Sequence, residues 1–146
     1  MDNIPEELRQ RPFRYALCVI SFCRKLTDTW EGREIARQLL RAETGTASNY
    51  WSACRGRSGA KFVARLGVAE DEAAESVMWL MLVAESGIRN DKQDKDLLRE
   101  GREITAILSK SCKTARENRR RKKNQKKVQL TNLPTNQLTN SHTKSI

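Results

Sequence analysis

The side chains with the widest chemical reach in this 146-residue sequence are four cysteines, one histidine, a knot of acids and a run of bases. Cys18, Cys23, Cys54 and Cys112 nowhere form a C-x-x-C pair, the spacing that a redox dithiol or a zinc hook uses. Their neighbours are apolar or small, so they are expected to be free thiols packed as small hydrophobes. A cysteine or serine nucleophile needs a positioned base, and the single histidine, His142, stands at the far C-terminal end. Glu70-Asp71-Glu72 and Glu75 could offer carboxylates to a metal. A di-iron bundle, however, requires Glu-x-x-His motifs from more than one helix, and the sequence has none. These acids are expected to face water or to pair with arginines, with Arg41, Arg55 and Arg57 as candidate partners. Gly56-Arg57-Ser58-Gly59 lacks the spacing and the lysine of a phosphate-binding P-loop. The expectation is a protein that is no enzyme and that uses neither metal nor cofactor.

The bases are a different matter. The formal net charge is +10, but it is concentrated: residues 116–127 (RENRRRKKNQKK) hold eight bases and one acid. Lys144 adds one more, which leaves 19 basic and 17 acidic residues for 1–115. A charge run attracts polyanions far better than the same charge dispersed. Each base that neutralises a phosphate releases condensed counterions, giving strong, salt-sensitive, sequence-independent binding. Arg116, Arg119, Arg120, Arg121, Lys122, Lys123, Lys126 and Lys127 are therefore the candidate nucleic-acid contacts. Arg55 and Arg57 join them as secondary candidates. No RNP-type aromatic residues or recognition-helix signature accompany them, so no base specificity is expected.

The elements that must position these residues are helices. Ala, Leu, Glu, Arg and Lys are abundant, Gly and Pro few, and aromatic residues only 5%, a balance that favours helix over sheet. Pro12 suits a first helical position, and Phe13, Leu17 and Ile20, with Ala16 and Cys23 beside them, predict a helix over 12–27 with that stripe inward. Trp30 is expected to lie in the following connection as a lid over one bundle end. Ile35, Leu39 and Ala42 predict a second helix from about Glu31 to Cys54. Its middle, Thr44-Gly45-Thr46-Ala47-Ser48, allows either a kink or the close approach of a neighbouring helix. Ser58 can cap a third helix, whose seam is Phe62, Leu66, Ala69, Ala73, Ser76, Leu80 and Val83, ending at Gly87. Val77–Ala84 is apolar almost all round, which demands a second buried face. Val77, Met78 and Met81 are accordingly the candidate oligomer interface. Leu97, Gly101, Ile104, Leu108, Ser111 and Ala115 predict a fourth helix.

This pattern is all-α, with residues 1–115 forming an up-down-up-down four-helix bundle. Residues 116–146 form a basic and then polar tail that extends the last helix by at most a turn or two. Repeats of Leu-Thr-Asn around Leu130, Leu133 and Leu138 cannot bury enough surface to offset their ordering entropy, so disorder is expected there. Asp2, Glu6 and Glu7 stand where a secretory signal would carry positive charge, and no apolar run is long enough to span a bilayer. A cytoplasmic, reducing location without membrane contact is the expectation.

Several stretches together carry a resemblance: Gln38-Leu39-Leu40-Arg41-Ala42, Ala47-Ser48-Asn49-Tyr50 and Cys54-Arg55-Gly56-Arg57-Ser58. They are followed by Phe62, Leu66-Gly67, Glu72, Glu75-Ser76, Trp79-Leu80, Glu85-Ser86-Gly87, Glu103-Ile104 and Ser111-Cys112-Lys113-Thr114-Ala115. Over residues 12–118 the chain resembles the bacterial four-helix bundle family linked to intervening sequences of 23S ribosomal RNA. The resemblance implies a left-handed bundle and a ring-like homo-oligomer, commonly a pentamer. The chain is also similar to accessory proteins that engage nucleic acid and a reverse transcriptase. The family brings no established catalytic residues. Glu43 and Thr44-Gly45 depart from the small or aliphatic run often found there, and the tail lies outside the shared region. The expected function is a non-enzymatic oligomer that binds RNA or DNA through its bases. The alternative is an assembly scaffold, such as a partner of a reverse transcriptase, with no nucleic-acid role of its own.

Overall fold

A computed structural model of the chain describes residues 6–56 and 59–133. They form four helices and no strand: α1 (Glu6–Arg24), α2 (Trp30–Arg55), α3 (Ala60–Glu85) and α4 (Lys92–Thr131). Links of four to six residues oblige consecutive helices to run antiparallel. Among the described residues each helix packs on its sequence neighbours, and α1 closes the ring against α4; no diagonal pair touches. The α2/α3 seam is the most extensive and the α1/α4 seam the slightest. The topology is the expected up-down-up-down bundle.

Local chemistry sets the helix ends. The Thr29 hydroxyl accepts from the Gly32 N–H at the start of α2. Asp91 and Asp94 exchange side-chain and backbone bonds in a capping box at the start of α4, and Arg89 clasps both carboxylates. Gly87 takes a left-handed conformation (φ +75°) just past α3, where the sequence placed a helix stop. Gly59 (φ +97°) occupies the N-cap position of α3 without a side-chain capping bond; Ser58, the expected cap, lies outside the described residues.

The seams of α3 and α4 follow the sequence closely. Leu66, Ala69, Ala73, Ser76, Leu80 and Val83 are buried on α3, with Phe62 half-buried; Gly101, Ile104 and Leu108 are buried on α4. α2 is continuous through Thr44–Ser48. A Cβ on Gly45 would stand 3.1 Å from Glu72 Cδ of α3, so the small residues admit a neighbouring helix rather than a kink.

Four expectations are corrected, the first being the bounds of α1, which runs Glu6–Arg24 with Pro12 inside it rather than starting at Pro12. The inward stripe of α1 is Tyr15, Val19, Phe22 and Leu26, with Pro12, Ala16 and Cys23, whereas Phe13 (48%) and Leu17 (52%) remain exposed. Trp30 is no lid: as the first residue of α2 it is 74% exposed, because the Thr29 cap already sets the chain's entry and turns the indole outward. α4 also runs on to Thr131 through the whole basic run rather than dissolving after a turn or two. Arg, Lys, Gln and Glu are good helix formers, and the preceding helix supplies the nucleus. The expectation of disorder for 134–146 falls outside the described residues.

Candidate nucleic-acid interface

The bundle lets go of α4 in a single turn. Cys112 is the last buried residue on it and Ala115 is half-buried, but from Arg119 to Leu133 every residue is exposed. Arg116 marks the exit. Its guanidinium sits 3.9 Å from Glu70 Oε2 on α3 and would be 3.4 Å from a Cβ on Gly67. The following dozen or so residues project about 20 Å at 1.5 Å per residue.

The arm's charge is not evenly distributed. At 100° per residue, Arg119, Lys122 and Lys126 prolong the stripe that carries Gly101, Ile104, Leu108 and Cys112 further back. Arg116, Arg120, Lys123 and Lys127 lie on one flank of that stripe, and Arg121 lies on the opposite side. The face that packs the core therefore becomes a basic face once the core ends. Because neighbouring helices are antiparallel, the C-terminal end of α2 and the start of α3 lie at the same end of the bundle. Arg55 and Lys61 are exposed there; Arg57 lies outside the described residues. Seven of the eight candidate bases are thus free of the body, and Arg116 also ties the arm to it.

Of the other residues with chemical reach, Cys18 and Asp71 are exposed and His142 lies outside the described residues, while most of the rest are enclosed or paired. Arg41 binds Glu75 at 2.5 Å and lies 3.8 Å from Glu72, as expected for the acidic knot; Arg116 answers Glu70. The four cysteines are unbridged. Burial pushes the Cys23 thiol up to about 11. Burial, reinforced by a bond to Glu70, pushes Cys112 up to about 12, so neither is a thiolate at neutral pH. Glu43, the departure noted at Glu43-Thr44-Gly45, is buried between α2 and α3 with its pKa raised to about 8 by desolvation, against a hydrogen bond from Ser76.

Apolar surface remains uncovered in two places. On α3, Met78, Met81 and Leu82 are exposed by 40–45%, while Val77 is half-buried and would lie 3.4 Å from a Cβ on Gly101 of α4. Met78 and Met81 are thus available to a partner, and Val77 belongs to the α3/α4 seam. The second place was not singled out from sequence: Phe13 and Leu17 of α1 with Leu40 and Trp51 of α2. The Phe13 and Trp51 rings lie 6.1 Å apart. The signal was present, since α1 carries two apolar stripes and a bundle helix buries only one.

Among the described residues no helix is long and apolar enough to cross a membrane. Residues 7–110 match the family model of the 23S rRNA-intervening sequence protein. The chain is also similar to the crystal structure of a protein of unknown function from the S23 ribosomal protein family of Bacteroides thetaiotaomicron VPI-5482. The two superpose with a TM-score of 0.66 at 23% identity, covering 73% of this chain and 98% of that one. No protein of curated function gives a significant match. The basic arm begins beyond the last residue matched by the family model.

Proposed function

The chain belongs to the family of 23S rRNA-intervening sequence proteins, and from that premise we propose that it is a non-enzymatic, self-assembling bundle that holds RNA along the basic arm of α4. One observation carries this reading: the run Arg116–Lys127 is helical and stands clear of the bundle with most of its bases on one side. Phosphates can approach that side without desolvating a buried group, and each neutralised phosphate releases counterions. The family's association with 23S rRNA favours RNA over DNA. The arm contains no aromatic residue between Arg116 and Leu133, so affinity would come from phosphates rather than from stacked bases.

The non-enzymatic part is supported by Cys23 and Cys112, whose thiols burial keeps protonated, and by Glu43, which is sealed between two helices. Four unbridged cysteines suit the reducing cytoplasm. Self-assembly is supported by the uncovered apolar surfaces, larger than scattered single residues would give. Those surfaces also favour a second reading, a scaffold for a protein partner such as a reverse transcriptase; RNA affinity would then be absent.

The test is RNA affinity of the full chain against salt. With six or seven phosphates neutralised, log K should fall against log salt with a slope of about −5. Arg119→Gln, Arg120→Gln and Arg121→Gln combined should make the slope shallower by about 2. A flat salt dependence would sink the proposal.

A further inference from the structure

The bases of the arm stand in two rows. With 3.6 residues per turn, Arg119, Lys122 and Lys126 share an arc of about 60° on α4. Arg116, Arg120, Lys123 and Lys127 share a second arc of about 60°, its centre turned by about 100° from the first. The first row is about 10 Å long and the second about 16 Å, at 1.5 Å per residue. Opposite them lie the uncharged Asn118, Asn124, Gln125 and Gln129, the acid Glu117 and one base, Arg121. The helix is what separates the rows, because in an extended chain the same bases would string out in one line.

Two rows of cations call for two lines of phosphate. An unpaired strand offers one line, and proteins that hold such strands stack the bases on aromatic rings, at about 1–3 kcal/mol per base. Residues 116–133 contain no aromatic side chain. Paired RNA hides its base faces and presents phosphates and 2′-hydroxyls along a wide, shallow minor groove. Those groups ask for donors, and Arg and Lys are donors only.

We propose that the ligand of the arm is double-stranded RNA, with α4 laid over the minor groove and one row of bases turned to each bordering strand. This rests on the RNA reading above and names the class of RNA. The major groove of an A-form helix is deep and narrow, too tight for a rod about 10–12 Å across with its side chains. A duplex also carries the denser charge, so each neutralised phosphate releases more counterion than on a single strand.

The experiment titrates the full chain with a labelled RNA hairpin stem and with an unpaired oligouridine of equal phosphate number, each over a range of salt. The stem should bind at least about tenfold tighter near physiological salt. Its slope of log K against log salt should be about −5 to −6, from six or seven contacts, against about −2 to −3 for a strand that meets one row. Arg119→Gln, Lys122→Gln and Lys126→Gln combined remove one row. Arg120→Gln, Lys123→Gln and Lys127→Gln combined reduce the other to Arg116. Either triple should erase most of the preference for the stem and change oligouridine affinity by less than about threefold, because one row survives. Arg121→Gln, on the opposite side, should leave the preference in place. These positions are exposed and Gln is a good helix former; circular dichroism confirms that the arm stays helical. Equal affinity and slope for the two RNAs would overturn the duplex assignment and leave RNA on the arm. A preference that survives either triple would overturn the two-row placement. Tighter binding of a DNA duplex of the same sequence, whose major groove admits a helix, would overturn the minor-groove placement. A flat salt dependence with both RNAs would overturn the RNA reading itself.

Discussion

Ser76 on α3 donates its hydroxyl hydrogen to Glu43 Oε2 on α2 at 2.9 Å, holding the most deeply enclosed carboxyl among the described residues. The other oxygen, Oε1, has no hydrogen-bond partner there. A carboxylate in that position would be a buried charge with one satisfied oxygen, so the group keeps its proton up to about pH 8.

This fixes the sign of a pH effect. In the unfolded chain Glu43 releases its proton near its ordinary value of 4.5, and in the folded chain near 8. Between those values the native state binds more protons, so stability falls as pH rises through the window and levels off above it. At about 1.4 kcal/mol per pKa unit, the loss from Glu43 across the whole window is on the order of 5 kcal/mol. Glu43→Gln, neutral at every pH, should flatten urea-derived stability between pH 5 and 8 to within the protein's remaining slope. An unchanged slope would mean that Glu43 is ionised in the fold.

The same residue shows where the sequence was legible and where it was not. The α3 and α4 seams could be read directly because each has one apolar stripe at alternating spacings of four and three. α1 has two such stripes, Phe13-Leu17-Ile20 and Tyr15-Val19-Phe22-Leu26, and period alone cannot say which is inward. Neighbours decide that. Tyr15 is claimed by the Leu97 carbonyl of α4 at 2.9 Å and Cys23 by the Ala36 carbonyl of α2 at 3.5 Å, both contacts over distances that a local pattern does not reach. Glu43 stood out in sequence only as a departure. Its burial depends on Ser76, thirty-three positions away. The candidate bases were legible as charge, but their continuation as helix was not, because like charges crowd along it.

Tyr15 and Gly101 offer a packing test. A Cβ on Gly101 would collide with the Tyr15 hydroxyl and also approach its Cζ to 3.2 Å. Gly101→Ala should therefore cost about 1–3 kcal/mol despite the gain in helix propensity. Tyr15→Phe alone should cost about 1 kcal/mol through the lost bond to Leu97. Together they should cost less than the sum by about 0.5 kcal/mol or more, because removing the hydroxyl makes room for the methyl. Strict additivity in thermal or urea unfolding would contradict the contact.

The thiols should separate kinetically. Cys18 is exposed on α1, whereas Cys23 and Cys112 are buried with pKa values raised to about 11 and about 12. Iodoacetamide at about pH 8 should label Cys18 first, and Cys23 and Cys112 only once denaturant opens the bundle. Peptide mass mapping reads this directly. Equal labelling of Cys18 and Cys23 in buffer would show that α1 does not stay docked.

The arm's own electrostatics predict a response to polyanions. Arg116–Arg120, Arg119–Lys123, Lys122–Lys126 and Lys123–Lys127 are like charges four residues apart on one helix, each pair costing about 0.2–0.5 kcal/mol. No tertiary contact offsets this beyond Arg119, where every side chain is exposed. The arm is therefore a helix held against its own repulsion, and anything that neutralises its bases should tighten it. Amide hydrogen exchange over residues 119–131 should be fast at low salt and should slow by several-fold when RNA is added. Simple salt should slow it less, because it screens without bridging successive bases. Protection that is unchanged by RNA, while the bundle helices keep theirs, would mean that the arm is not where the polyanion sits.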